Sequence, residues 1–79
     1  MSELVLFYRQ FCPYCRKVLN FMEQEKINLT LKELGSNEEY ENELNSIGGK
    51  SQVPCLVIDG KALYESDDII RWLKENYKD

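Results

Sequence analysis

The sequence predicts an α/β domain in which helices pack on a small mixed sheet, and three observations support this fold class. Apolar patterns follow one another in the order strand, helix, strand, helix, strand, strand, helix. The first three elements form a βαβ unit, which pairs its two strands in parallel. The dipeptide Asp59-Gly60 lies between the last two strand patterns and is typical of a tight antiparallel hairpin. A sheet of this mixed kind needs helices to cover its apolar faces.

The first strand and the first helix are predicted on either side of a proline. Residues 4–8 are apolar and few enough for a buried strand. Pro13 has the fixed φ and the missing N–H that suit a first helical position, so Cys12 is expected to be the N-cap. Helically spaced apolar residues then continue the helix to about Lys26. They are Val18, Leu19, Phe21 and Met22.

The second strand and the second helix are predicted from a change of period. The strand begins at Ile27, because apolar and polar residues alternate from there, and it ends at Gly35. Residues 36–39 have the spacing of a capping box that starts at Ser36. The stripe that follows predicts an amphipathic helix, which Gly48-Gly49 ends. The stripe consists of Tyr40, Leu44 and Ile47.

The last three elements are a hairpin and a helix. Residues 54–58 form an apolar strand that opens on a proline, and residues 61–64 form its antiparallel partner. Ser66 is expected to cap the final helix, whose first turn holds Asp67 and Asp68. The core side of this helix is predicted to be Ile69, Ile70 and Leu73.

Length, composition and charge narrow the function classes. With 79 residues, we expect one domain, over residues 1–79, with a single core. The net charge of -4 gives no support to nucleic-acid binding. The N-terminus has no basic region before an apolar stretch, and no apolar run is long enough to span a membrane. We therefore expect a cytoplasmic monomer with neither a nucleic-acid nor a membrane partner.

The three cysteines and the absence of histidine indicate redox chemistry. An odd set of cysteines, Cys12, Cys15 and Cys55, is not a disulfide framework. Without histidine there is no Cys-His pair, and a zinc site would lack its fourth ligand, so no metal is expected. Cys55 lies in an apolar strand and is interpreted as a core residue, since free cysteine is among the most buried residue types.

Cys12 and Cys15 are expected to have different roles. At a helix N-terminus, Cys12 faces unpaired N–H groups and the positive end of the helix dipole, which stabilise a thiolate over a thiol. Cys15 lies one turn later, where it should be less exposed and protonated, yet within reach of the Cys12 sulfur. This is an attacking thiolate with a resolving thiol. A CxxC motif between a strand and a helix is typical of a thioredoxin-like redox domain.

Three segments of the chain resemble the glutaredoxins of the dithiol Cys-Pro-Tyr-Cys type. They are residues 9–15, 52–54 and 64–68. The resemblance implies a thioredoxin-like βαβαββα fold, with a mixed four-stranded sheet and three helices, and a cis Pro54. It also implies glutathione as cosubstrate and glutathionylated or disulfide-containing proteins as partners. Glu65-Ser66 departs from the glutaredoxin pattern and resembles the N-terminal domain of glutathione transferases.

The same resemblance implies a glutathione site beside catalytic Cys12 and Cys15. Its residues are Arg9, Tyr14, Lys50, Gln52, Val53, Pro54, Ser66 and Asp67. Arg9 and Lys50 would bind the glycyl carboxylate, whereas Ser66 and Asp67 would receive the γ-glutamyl end. Phe11, next to the Cys12–Cys15 motif, and Tyr64, next to the Glu65-Ser66 segment, are interpreted as packing residues.

Two alternatives stand beside a glutathione-dependent thiol-disulfide oxidoreductase. The first is a dimer that holds an iron-sulfur cluster through Cys12 and bound glutathione. Pro13 counts against it, because cluster-binding relatives often lack that proline. The second is a glutathione transferase, suggested by Glu65-Ser66, although 79 residues leave no room for the helical second domain that supplies an electrophile pocket.

Overall fold

The computed structural model describes residues 3–77 and has the predicted order of strands and helices. The elements are β1 (Leu4–Tyr8), α1 (Pro13–Gln24), β2 (Thr30–Glu33), α2 (Glu38–Gly48), β3 (Cys55–Ile58), β4 (Lys61–Leu63) and α3 (Ser66–Asn76). The sheet has four strands in the order β2-β1-β3-β4. The predicted α/β fold of type βαβαββα is confirmed.

Strand pairing follows from the connections between the strands. β1 and β2 are joined by a helix and pair in parallel, with Val5 opposite Thr30. β3 pairs antiparallel with both β1 and β4. At the hairpin between β3 and β4, Asp59 and Gly60 have φ values of 50° and 85°. Positive φ at both central residues is the requirement of a type I′ turn, so the hairpin prediction is confirmed.

Side chains on the two faces of the sheet form two cores. Successive residues of a strand point to opposite faces, so Leu6 and Phe7 of β1 enter different cores. One core, against α1 and α3, consists of Leu6, Val18, Met22, Ile27, Leu56, Ile69 and Leu73. The other, against α2, consists of Phe7, Leu34, Leu44, Cys55 and Val57. The central strands β1 and β3 are thus covered on both faces. Cys12 follows four residues after the end of β1, which fixes its place near the carboxyl end of that strand.

The second strand starts later than the sequence pattern indicated. β2 begins at Thr30, so the prediction of a strand from Ile27 was wrong. Helix α1 ends at Gln24, and Lys26 adopts a φ of 56°. The Ile27 N–H then donates to the Met22 carbonyl at 2.8 Å, and its side chain is buried in the first core. Ile27 is apolar because it packs in the core just after the end of α1. In the sequence, this apolar residue looks like the first position of an alternating strand.

Two helix starts differ from prediction by one residue. Asn37, not Ser36, caps α2, and its side-chain oxygen accepts a hydrogen bond from the Glu39 N–H at 2.9 Å. The Ser36 hydroxyl instead donates to the Glu33 carbonyl at 2.8 Å. In α3, Ser66 is the first helical residue, and Glu65 holds the N-cap position with a φ of 71° and no side-chain cap bond. The Ser66 residue is buried at this position.

Candidate functional site

The connection from β1 to α1 places Cys12 and Cys15 in different surroundings. Cys12 is half-buried at the N-cap of α1, with extended backbone angles (φ -93°, ψ 121°), and Pro13 follows as the first helical residue. Its carbonyl accepts the first helical hydrogen bond, from the Arg16 N–H at 2.9 Å. Cys15 is fully buried, and its sulfur accepts a hydrogen bond from the Arg9 N–H at 3.5 Å. A reagent from solution can therefore reach Cys12 but not Cys15.

The burial of Cys15 determines its protonation state. Burial is the main cause that raises the pKa of Cys15 to about 12, and the hydrogen bond and charge of nearby Cys12 raise it further. The hydrogen bond from the Arg9 backbone lowers it, but by less. Cys15 is therefore a neutral thiol at neutral pH, next to Cys12.

A polar groove lies along the N-terminus of α3. Its volume is about 320 Å³, and its lining consists of Tyr14, Gln52, Val53, Pro54, Glu65, Ser66 and Asp67. The groove thus brings together six of the eight residues predicted to bind glutathione. The Val53–Pro54 peptide bond is cis, as the family resemblance implied.

Backbone groups in this groove are available to a ligand. Among residues 3–77, no intramolecular hydrogen bond uses the N–H or the carbonyl of Val53. The first N–H groups of a helix lack partners within the helix, and Ser66 and Asp67, the first two residues of α3, line the same groove. A peptide-like ligand could pair with Val53 and place a carboxylate at the start of α3.

Arg9 and Lys50 do not line the polar groove. Arg9 lies 3.6 Å from Glu41 in an exposed ion pair and lines a different groove, with Cys12. The Lys50 ammonium is 4.5 Å from the centre of the Tyr64 ring, a cation-π contact. Both assignments stay predictions.

Asp67 already has a cationic partner within the chain. The Lys17 ammonium forms a short hydrogen-bonded ion pair with its carboxylate. This hydrogen bond, followed by the charge of Lys17, lowers the pKa of the exposed Asp67 carboxyl. The carboxylate is therefore ionised and in place for a cation at the groove.

Aromatic residues around the motif divide into exposed and packed ones. The Phe11 side chain is 90% exposed and Tyr14 is 66% exposed. The interpretation of Phe11 as a packing residue was thus wrong. Its position between Gln10 and Cys12, in a loop before the helix, could have indicated an exposed side chain. Tyr64 does pack against the second core, and its hydroxyl donates to the Lys50 carbonyl at 2.9 Å.

Cys55 is a core residue, as predicted. It is fully buried on β3, where it faces α2. Burial raises the pKa of the Cys55 thiol to about 11, although hydrogen bonds from Leu63 and Tyr64 partly offset that rise. A neutral buried thiol of this kind packs as a small apolar group.

Comparisons with known proteins show the family of this chain. A model of the glutathione S-transferase N-terminal domain matches residues 6–79. The chain belongs to this family. Glutaredoxin-C4 of Arabidopsis thaliana is 32% identical over 71 residues, which are 86% of this chain and 53% of that protein. Glutaredoxin 1 of Rickettsia prowazekii is 28% identical over 81 residues, covering 100% of this chain and 85% of that protein.

A solved structure gives the same result for the fold. Glutathione transferase Omega 3C from Trametes versicolor matches 95% of this domain and 34% of its own chain, with 30% identity and a TM-score of 0.81. The resemblance to glutaredoxins, with a transferase-like segment, is confirmed. The chain spans about half the length of Glutaredoxin-C4 of Arabidopsis thaliana and of Glutaredoxin-C8 of Oryza sativa subsp. japonica, 53% and 54%.

Two further properties concern the described part of the domain. No helix within residues 3–77 is both long and apolar enough to cross a membrane. Over the same residues, no group of three or more His, Cys, Asp or Glu side chains is placed to share a metal ion.

Proposed function

We propose that this domain is a glutathione-dependent thiol-disulfide oxidoreductase in which Cys12 is the nucleophile. The observation that carries the proposal is the asymmetry of the two thiols: Cys12 is accessible at the N-terminus of α1, and Cys15 is buried behind it. Orphan N–H groups and the helix dipole favour an anionic sulfur at that position. Similarity to glutaredoxins supports glutathione as the cosubstrate.

The reaction is a pair of thiol-disulfide exchanges. The Cys12 thiolate attacks the glutathionyl sulfur of a mixed disulfide, the substrate sulfur leaves as a thiolate, and Cys12 is joined to glutathione. A second glutathione thiolate attacks this bond, releases the Cys12 thiolate and forms oxidised glutathione. With a protein disulfide, Cys15 attacks the mixed disulfide at Cys12, closes the Cys12–Cys15 bond and releases the substrate thiol. Two molecules of glutathione then reduce that bond.

The polar groove is proposed to hold the glutathionyl half of the substrate. The backbone of Val53 would pair with the peptide, and the α3 N-terminus at Ser66 would receive the γ-glutamyl carboxylate. Asp67 would bind the γ-glutamyl ammonium. These three contacts would fix the glutathionyl sulfur at Cys12, because Tyr14 in the groove wall is only two residues further along α1.

Reduction of a glutathione mixed disulfide, coupled to glutathione reductase, tests the proposal. Cys12→Ser is expected to lower turnover to the uncatalysed background, whereas Cys15→Ser should keep most of it. Cys15→Ser should, however, lose reduction of protein disulfides that require the Cys12–Cys15 bond. Cys55→Ser is a matched control for a thiol outside the site. Equal loss in the Cys12 and Cys15 variants would contradict the proposed roles.

Glutathione transfer to an electrophile is a second candidate, favoured by the match to the transferase N-terminal domain over residues 6–79. It would use the same polar groove, with an electrophile in place of the disulfide. Conjugation of glutathione to a chlorinated nitroaromatic distinguishes the two activities. A rate well above background would support transfer, and mixed-disulfide reduction without conjugation would support the oxidoreductase.

A further inference from the structure

Phe11 is the most exposed large apolar side chain among residues 3–77, and it directly precedes Cys12 in the chain. Its exposed fraction is 90%, against 66% for Tyr14 and 45% for Leu31. One exposed apolar residue on a protein surface is ordinary. The position of Phe11 is what distinguishes it, because a peptide or protein substrate that brings a sulfur to Cys12 is large enough to bring its neighbouring residues to Phe11.

Two open grooves meet at Phe11. One, of about 400 Å³, contains Arg9, Cys12, Glu33 and Gly35. The other, of about 520 Å³, contains Pro13 and Arg16. Gln10 and Phe11 line both grooves, so Phe11 is a shared wall residue of the two. Neither groove includes Val53, Ser66 or Asp67, the three residues whose contacts are proposed above to hold the glutathionyl half.

The groove on the Arg16 side has an uncompensated positive charge. Arg16 is the one charged residue in its lining, and within residues 3–77 it forms no ion pair. By contrast, Arg9 is paired with Glu41, and Lys17 with Asp67. A free guanidinium next to an exposed aromatic ring is complementary to a carboxylate next to an apolar side chain.

We propose that Phe11 and Arg16 form a docking surface that selects among glutathionylated protein segments. The preferred segment carries an apolar side chain beside its modified cysteine, which packs on Phe11, and a carboxylate nearby, which pairs with Arg16. This inference rests on the proposed function and names its substrate class. The glutathionyl half occupies the polar groove, so the protein half lies on the Phe11 side of Cys12.

The net charge of the chain limits how acidic the preferred substrate is. At -4, the domain as a whole repels a strongly acidic protein, while Arg16 attracts one local carboxylate. Packing on Phe11 is short-ranged and independent of salt, whereas pairing with Arg16 weakens with salt. The two contributions can therefore be measured separately.

Four glutathionylated peptides test the proposal. Each has one modified cysteine, preceded by Phe or Ser and followed two residues later by Asp or Lys. The wild type is expected to reduce the Phe peptides with a kcat/KM about tenfold above the Ser peptides, mainly through KM, as burial of an apolar side chain implies. Asp should be preferred over Lys by about threefold at low salt, a typical size for an exposed ion pair.

Variants assign each preference to its residue. Phe11→Ser should abolish the preference for the apolar peptides, and Phe11→Leu should keep most of it. Arg16→Glu should reverse the Asp-over-Lys preference. Leu31→Ser, which removes another exposed apolar side chain from β2, is the matched control and should change neither preference. All variants should reduce the small mixed disulfide of glutathione and 2-mercaptoethanol at the wild-type rate, because it does not reach Phe11 or Arg16.

The outcomes separate the docking surface from the proposed reaction. Normal turnover of the small mixed disulfide with equal rates for all four peptides would overturn the docking surface alone. Absent turnover of the small mixed disulfide would overturn the proposed reaction. In that case, peptide affinity measured on Cys12→Ser would decide the docking surface: a preference lost in Phe11→Ser supports it, and equal affinities overturn it.

Discussion

The two cysteines of the motif are three residues apart and differ in their exposure to solvent. Cys15 is fully buried in the first turn of α1, where burial raises the pKa of its thiol to about 12. Cys12 holds the N-cap, where backbone N–H groups point at its surroundings. The two thiols thus differ in accessibility because of their positions at the start of α1, in a chain that has no histidine.

The raised pKa of Cys15 predicts a pH dependence for the resolving step. Only the thiolate attacks a disulfide, so the thiolate fraction of Cys15 limits closure of the Cys12–Cys15 bond. Below the pKa, that fraction rises about tenfold for each pH unit. The experiment is a single turnover that starts with Cys12 joined to a substrate thiol. Because the thiolate of Cys15 becomes more abundant, closure of the Cys12–Cys15 bond should accelerate steeply from about pH 6 to about pH 9.

A matched measurement isolates this effect. In Cys15→Ser, closure is impossible, and release of the substrate thiol should follow only added glutathione. A closure rate in the wild type that does not change with pH would mean that a base removes the Cys15 proton or that the thiol is more exposed in the mixed disulfide.

At the scale of elements, the N-termini of α1 and α3 are joined by the ion pair between Lys17 and Asp67. The proposed ammonium of bound glutathione would compete with Lys17 for the same carboxylate. Lys17→Gln should therefore lower KM for a glutathione mixed disulfide by about twofold, with kcat unchanged, as expected for an exposed pair. The effect should fade at high salt because both charges are in solvent.

Lys61→Gln, at an exposed lysine of β4, controls for the loss of one positive charge. If Lys17→Gln instead raised KM while Lys61→Gln did not, Lys17 would itself contribute to glutathione binding.

The end of helix α2 and the residue after strand β4 meet at a close contact between Gly48 and Tyr64. A Cβ added at Gly48 would overlap the Tyr64 hydroxyl oxygen and lie 2.9 Å from its ring carbon Cζ. Tyr64 is held by a hydrogen bond to the Lys50 carbonyl, so it cannot move freely. Gly48→Ala should lower the free energy of unfolding by about 1–3 kcal/mol, a typical cost of overpacking, despite the better helix propensity of alanine.

Urea unfolding of Gly48→Ala, Tyr64→Leu and the double variant measures the coupling. In the Tyr64→Leu background, alanine at 48 should cost much less, because the obstructing hydroxyl is gone. Additive effects of the two substitutions would contradict the steric explanation.

For the whole molecule, the two buried thiols link stability to alkaline pH. The pKa of Cys15 is raised to about 12 and that of Cys55 to about 11, from an ordinary value of 9.0. Between pH 9 and these values the unfolded chain releases thiol protons that the folded protein retains. Stability from burial of the neutral thiols is thus complete below pH 9 and is lost as pH rises through the folded values.

Denaturant midpoints under reducing conditions should therefore fall between pH 8.5 and pH 10.5, as this linkage requires. Cys55→Val keeps an apolar side chain in the core and should flatten the decline, because it removes one of the two buried thiols. A decline of equal slope with and without Cys55 would assign it to other groups, such as tyrosine.

Sequence by itself determined the order of the strands and helices and the place of the Cys12–Cys15 motif between β1 and α1. Local rules suffice there: Pro13 starts α1 at Cys12, Asp59-Gly60 closes the hairpin, and a βαβ unit fixes the parallel pair. The start of β2 was missed at Ile27, because burial at the end of α1 and burial in a strand impose the same apolar residue.

Tertiary structure decided where the charged and aromatic residues of the site go. Local sequence does not distinguish an exposed Phe11 from a packed Tyr64, nor an Arg9 paired with Glu41 from one that faces the polar groove. These outcomes depend on which elements lie opposite each other across the sheet. The distances that matter, such as that from Lys17 to Asp67, join residues 50 positions apart in the chain.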